Sequence, residues 1–167
     1  MADLSGNDKA TGVLFVCTGN ICRSPTAEGL LRARLKAHGL EKAVFTESAG
    51  MHGYHIGDPP DPRSVAIAAA RGIDIASLRA AKIAPKDFMT YDLIVALDEG
   101  HLEILERMHP GKGTRAKLRL LMSFADKGTG DVPDPYYLDE AAFIHAFDLI
   151  ERGVDGLVQH LKEQYPP

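Results

Sequence analysis

A chain of 167 residues, 45% hydrophobic and 25% charged, has the make-up of a globular protein with a sizeable core, not of a fibrous or disordered one. Its formal net charge of -4 at pH 7 supplies no global positive field, which argues against nucleic acid or an anionic membrane surface as partner. The polar start MADLSGNDKATG lacks a signal-type apolar core and no run is long enough to span a bilayer, so the expected location is the cytoplasm.

Residues 13–17, VLFVC, form a short continuous apolar run, the pattern of a strand buried on both faces. Pro25 stands at a first helical position with Ser24 before it as N-cap. Ala27, Leu30, Leu31 and Leu35 make one helical stripe, which Gly39 stops. A second strand is predicted over 43–48, followed by AGMHGYHIGDPPDP, too rich in Gly and Pro for regular structure. Asp61 or Pro62 opens a helix that runs to Gly72. YDLIVALD over 91–98 is the clearest buried strand, EGHLEILERMH after it is helical as far as Pro110, and AKLRLLMSF over 116–124 is the predicted fourth strand. The loop ADKGTGDVPDPYY over 125–137 leads into a long amphipathic helix carrying Phe143, Phe147, Ile150, Val154, Leu157 and Leu161. Gly153 and Gly156 are expected to weaken or bend it, at about 1 kcal/mol each against alanine.

This alternation predicts an α/β fold, a three-layer αβα arrangement around a four-stranded parallel sheet. With no repeat and no long linker, one domain is expected over 1–167, with residues 1–11 as a flexible N-terminal extension. Ligands in such folds bind beyond the carboxyl ends of strands, and the segment from Cys17 to Ser24 leaves such an end.

That segment holds the only two cysteines, Cys17 and Cys22. They fit neither a disulfide framework nor a four-ligand zinc site, so they read as chemical or redox-active thiols. Between Cys17 and Arg23, Gly19 and Asn20 are the residue types that best tolerate left-handed backbone angles. A chain curling through such angles turns successive N–H groups inward as an anion nest, and the following helix adds its positive end. Arg23 supplies a planar fork for two phosphate oxygens. The same donors favour the thiolate of Cys17, the nucleophilic form of sulfur. Taken alone, Cys17 also fits a buried structural cysteine in a glycine-containing turn.

VCTGNICRSPTAEGLL resembles the signature of the low-molecular-weight protein tyrosine phosphatases, and the likeness extends through SAG (48–50), GDPPDPR (57–63) and DPYY (134–137). The resemblance implies a flavodoxin-like fold with its phosphate-binding loop after the first strand, made of Thr18, Gly19, Asn20, Ile21, Cys22 and Ser24. It implies Cys17 as nucleophile and Arg23 as the phosphate-binding arginine. It also implies that Asn20 and Ser24 hold the loop and stabilise the thiolate, and that Ser48 supports the loop by bonding Asn20. Cys22 is implied as redox partner, able to form a protective disulfide with Cys17.

Asp134 sits between two prolines, which stiffen its loop. On its own Asp134-Pro135 reads as a turn initiator. The resemblance makes Asp134 the acid that protonates the leaving oxygen and then takes a proton from the attacking water, a double duty that microscopic reversibility requires. It also places Tyr54, Tyr136 and Tyr137 against the substrate ring, with ordinary loop packing as the simpler reading. Related arginine phosphatases carry threonine where Ile21 stands, and an isoleucine favours a flat aromatic ring. Relatives often place after GID a histidine that completes the polar network, where GIDIASLR has Leu78.

The seven histidines form no metal motif and are expected to be solvated or locally bonded, and Asp98 is expected to act as an N-cap. No metal and no cofactor are expected, because backbone donors and Arg23 carry the phosphate charge. The expected partners are phosphotyrosine proteins or peptides, with the chain a monomer or weak dimer. Phosphoarginine hydrolysis is the nearest alternative. Arsenate reductase is a more distant one, since it needs cysteines beyond the two present, and a non-catalytic phosphate-reading module is a third.

Overall fold

The computed structural model describes residues 10–125 and 130–164. Its elements in chain order are β1 (Thr11–Cys17), α1 (Arg23–Ala37), β2 (Val44–Gly50), α2 (Pro62–Ala70), α3 (Asp87–Thr90), β3 (Leu93–Ala96), α4 (Glu99–Met108), β4 (Lys117–Leu120), a 3-10 turn (Leu121–Phe124) and α5 (Glu140–Gln164). The four strands are parallel in the order β2-β1-β3-β4. This is the doubly wound order in which the first strand lies inside the sheet. Of the N-terminal extension expected over 1–11, residues 1–9 lie outside the described residues, and Thr11 already belongs to β1. Residues 126–129 of the loop expected over 125–137 also lie outside the described residues.

The unbroken apolar run of β1 is explained by burial on both faces. Val13, Phe15 and Cys17 belong to one core cluster, with Leu30, Leu31 and Leu35 of α1 and Ile150, Val154 and Leu157 of α5. Leu14 and Val16 point into the other, with Phe88 of α3 and Leu105 of α4. Truncating the fully buried Phe15 to alanine would cost about 3–5 kcal/mol. The sheet therefore lies between two helical layers, and Cys17 emerges at the carboxyl end of an inner strand.

Two expectations change. Residues 121–124 leave the sheet as a 3-10 turn in which neighbouring Leu121 and Met122 are both buried, Leu121 lying against Gly153 of α5. α5 continues as helix through Gly153 and Gly156, and the missing side chains make room for that turn. A Cβ at Gly153 would come within 2.6 Å of Leu121 Cγ, and one at Gly156 would collide with Phe124 O. Ser24 is no N-cap: α1 already begins at Arg23, and no side chain caps it.

Candidate active site

Cys17 ends β1, and the loop after it returns to helix within five residues, turning at Asn20 with φ 60. Gly19, expected to share the left-handed geometry, is not among the residues of positive φ. Its missing side chain instead admits two imidazoles, since a Cβ there would lie 3.1 Å from His55 Cδ2 and 3.4 Å from His52 Cε1. The loop also rests on Gly50, where a Cβ would stand 3.0 Å from both Gly19 C and Thr18 O. Met51 N donates to the carbonyls of Cys17 and Thr18, each at 2.9 Å, and Asp61 N donates to Ile21 O at 2.7 Å.

The sulfur sits at the end of a directed hydrogen-bond chain. Asn20 Nδ2 donates to Ser24 Oγ at 2.7 Å and to Ser48 Oγ at 2.9 Å, and Oδ1 accepts from Ala81 N at 2.9 Å. With the amide donating to both hydroxyls, each serine keeps its own hydrogen to pass outward. Ser48 Oγ donates to Glu28 Oε1 at 2.6 Å, and Ser24 Oγ lies 2.9 Å from Cys17 Sγ, placed to donate to it. A hydroxyl donated to sulfur stabilises its anionic form. Arg32 Nη2 closes the far end on Glu28 Oε2 at 2.7 Å. Burial holds the Glu28 carboxyl above its ordinary value even against the opposing pull of Ser48 and Arg32. Glu28, unmarked in the sequence reading, thus occupies the end of the network, while Leu78 is a half-buried apolar residue packed on the core of α1 and α5. The signal for Glu28 was its place one helical turn after Ser24, beside Leu31 and Leu35 of the apolar stripe.

Arg23 is only 3% exposed and its partners are fixed. Nη1 donates to Asp98 Oδ2 at 2.8 Å and to Val132 O at 2.9 Å, and Nη2 donates to Thr18 Oγ1 at 3.2 Å. Among the described residues Nε and one hydrogen of Nη2 have no hydrogen-bond partner, which leaves the guanidinium two donors for an anion. Nη2 also lies 3.6 Å from Asp134 Oδ2. Asp98 is the N-cap of α4, accepting from His101 N at 2.8 Å, and it carries the Arg23 ion pair as well.

Cys17, Thr18, Gly19, Ile21, Cys22, Arg23, Tyr54, Asp134, Tyr136 and Tyr137 all line one pocket of about 250 Å³, with His52 and His55 in its wall. Asn20, Ser24 and Ser48 lie behind it. The histidines expected to be solvated or locally bonded divide: His55 does approach Asp58, but with His52 it borders the pocket, and His101 is buried against Thr18, 83 residues away. Asp134 Oδ1 accepts from Tyr136 N at 3.1 Å, the turn expected of an Asp-Pro pair. Its loop is held by Arg63, which forks onto Asp61 at 2.9 and 3.0 Å, donates to Tyr136 O at 3.0 Å and stacks on Phe143 at 4.2 Å. That fork lowers the Asp61 carboxyl from its ordinary value. Both thiols are free, and burial, reinforced by Asp61 and Cys17, pushes the Cys22 thiol up to about 12. Among the described residues, no group of three or more His, Cys, Asp or Glu side chains could hold a metal ion, and no helix is long and apolar enough to cross a membrane.

The profile of the low molecular weight phosphotyrosine protein phosphatases matches residues 12–166. The chain belongs to that family. A low molecular weight protein-tyrosine-phosphatase of Streptomyces coelicolor is 43% identical over 155 residues, covering 91% of this chain and 94% of the relative. The crystal structure of a protein tyrosine phosphatase from Entamoeba histolytica, with Hepes in its active site, superposes with a TM-score of 0.87 at 32% identity, over 93% of this chain and 99% of the other. A Drosophila arginine phosphatase superposes at 0.84 with 30% identity, over 90% of this chain and 97% of the other. The phosphatase thus has the four-stranded parallel α/β fold of these relatives, with the pocket described above at the carboxyl end of β1.

Proposed function

We propose that this phosphatase hydrolyses phosphotyrosine in proteins or peptides through a cysteinyl phosphate, without metal or cofactor. The observation that carries the reading is the Cys17 sulfur, 2.9 Å from the Ser24 hydroxyl, in one pocket with the free donors of Arg23 and with Asp134. The Cys17 thiolate attacks phosphorus in line, with backbone donors of the loop and Arg23 holding the three non-bridging oxygens. As the P–O bond to the phenol breaks, Asp134 gives its proton to the leaving oxygen. Water then attacks the cysteinyl phosphate, Asp134 takes its proton, and the S–P bond breaks to return thiolate and inorganic phosphate.

Ile21 on the pocket wall and the tyrosines at its mouth support an aromatic substrate. The likeness to an arginine phosphatase keeps phosphoarginine as the second reading. For Cys22, its place in the same pocket as Cys17 supports a resolving role in which a Cys17 sulfenic acid formed by peroxide condenses with the Cys22 thiol, giving a disulfide and water, a step that the raised thiol value slows. Two buried free thiols fit a reducing compartment, the cytoplasm.

The test offers purified protein a phenolic phosphate and a phosphoarginine peptide in the presence of a chelator, beside Cys17→Ser. Hydrolysis of the phenolic phosphate alone, inhibition by vanadate as a five-coordinate phosphoryl mimic, and loss of turnover by roughly 10⁴-fold or more in Cys17→Ser are expected. A Cys17→Ser protein that retains turnover overturns the mechanism, and preferential release from phosphoarginine overturns the substrate.

A further inference from the structure

His101 takes no part in the chemistry just described, yet it is 6% exposed and touches the phosphate loop. Its Nε2 pairs with Thr18 Oγ1 at 2.8 Å, and the same hydroxyl accepts from Arg23 Nη2 at 3.2 Å. Its Nδ1 is buried without an aligned hydrogen bond, and Asp98 Oδ1 stands 3.1 Å from it. Asp98 Oδ2, the other oxygen of that carboxylate, accepts from Arg23 Nη1 at 2.8 Å. The four side chains close a ring: Arg23 to Thr18, Thr18 to His101, His101 beside Asp98, Asp98 back to Arg23.

Arg23 can only donate, so Thr18 Oγ1 accepts from it and keeps its own hydrogen and a second lone pair. Placing the imidazole hydrogen on Nδ1 turns it to the Asp98 carboxylate and leaves Nε2 to accept from Thr18 Oγ1, the tautomer that suits both neighbours. Burial and the neighbouring Arg23 disfavour a charged His101, against the pull of Asp98, in keeping with the neutral ring. Thr18 and Asp98 each hold Arg23, and His101 ties one to the other.

We infer that His101 is a positioning residue for catalysis, which through Thr18 and Asp98 holds the Arg23 guanidinium with Nε and one Nη2 hydrogen free for the phosphate oxygens. It acts on oxyanion binding and not on proton transfer to the leaving group. The inference rests on the assignment of Arg23 as the phosphate-binding residue.

The test is a double-mutant cycle of His101→Ala and Thr18→Val, read by vanadate inhibition and by turnover of a phenolic phosphate. Losing one such hydrogen bond is worth about 3- to 12-fold, so His101→Ala should raise the vanadate inhibition constant and lower kcat/KM by roughly that factor, and Thr18→Val, which also loses the Arg23 Nη2 bond, by at least as much. The double variant should be scarcely worse than Thr18→Val alone, because Thr18→Val already breaks the link that His101→Ala removes. Glutamine places a polar atom where Nε2 stands and asparagine where Nδ1 stands, so His101→Gln should restore vanadate affinity and His101→Asn should not. Additive losses, equal behaviour of Gln and Asn, or unchanged vanadate affinity in His101→Ala would each overturn the inference. Should His101→Ala fail to fold, Thr18→Val with and without His101→Gln gives the same comparison. Turnover surviving in Cys17→Ser would instead strike the cysteinyl mechanism, whatever the cycle shows.

Discussion

At the floor of the pocket and just behind it, Cys17 and Asn20 are each 2% exposed, and the amide, hydroxyls and guanidinium around them have hydrogen-bond partners. At its mouth Tyr54 and Tyr137 are 85% and 90% exposed, and the Asp134 side chain is 44% exposed. In the proposed mechanism the floor handles charge, and fixed dipoles stabilise a transition state best when no reorientation is needed as charge moves. In the same mechanism the mouth meets the substrate's aromatic ring, whose offset contacts tolerate a range of positions. The difference teaches that substitutions should fall into two kinetic classes. Floor changes should weaken oxyanion binding for every substrate, and mouth changes should be read by leaving group or peptide.

The largest expected effect tests the one mouth residue to which the proposed mechanism gives a chemical duty. Asp134→Ala should slow turnover of phenyl phosphate by roughly 10²–10⁴ and slow a dinitrophenyl phosphate far less, because that leaving group needs no proton. Equal losses on both substrates would move Asp134 into the floor class. Next comes Gly50→Ala, whose Cβ would meet loop backbone at 3.0 Å. Displacing the loop by a fraction of an ångström should lower kcat/KM by up to ~10² on both substrates and weaken vanadate equally. A response that depended on leaving group would blur the division.

Arg63→Ala releases the loop that carries Asp134 from Asp61 and Phe143. A loss of about 3- to 10-fold is expected for phenyl phosphate, with vanadate affinity unchanged. A raised vanadate constant would show that the acid loop also shapes the floor. The smallest effect concerns stability. Since the folded protein holds the Glu28 proton more readily than the unfolded chain does, the contribution of this group is fully present below the ordinary carboxylate range. It is lost as pH rises through the raised folded value. Glu28→Gln keeps an acceptor for Ser48 and removes that loss, so its Tm relative to the parent should climb by a few degrees between about pH 4 and about pH 7. A difference that stayed flat with pH would mean that Arg32 already neutralises the buried carboxylate.

Much of the floor could be read from sequence because 17–24 is one local stretch: thiol, turn residue, guanidinium and hydroxyl lie within two turns of chain. The helices were legible wherever an apolar stripe ended at a glycine, as at Gly39 and Gly72, both of positive φ. What escaped depends on strand register. Gly50 is the register partner of Cys17 in β2, and Ala96 of β3 faces Val16, which carries Asp98 and His101 to the mouth of the loop. No spacing along the chain announces those neighbours. Ser24 was misread as an N-cap since its residue type suits both tasks, whereas the role implied by the family resemblance agrees with its contacts to Asn20 and Cys17. Residues 121–122 were misread because two adjacent apolar side chains look alike in a strand and in a turn that tucks both inward.

One contact ties the two ends of synthesis together. Arg23 donates to the carbonyl of Val132, 109 residues downstream, and the segment bearing that carbonyl leads directly into α5, which packs on α1. A nascent polypeptide emerging from the ribosome therefore makes its proposed nucleophile early and completes the seat of its arginine late. Activity should arrive only once the chain has been made as far as Val132 and that segment has docked.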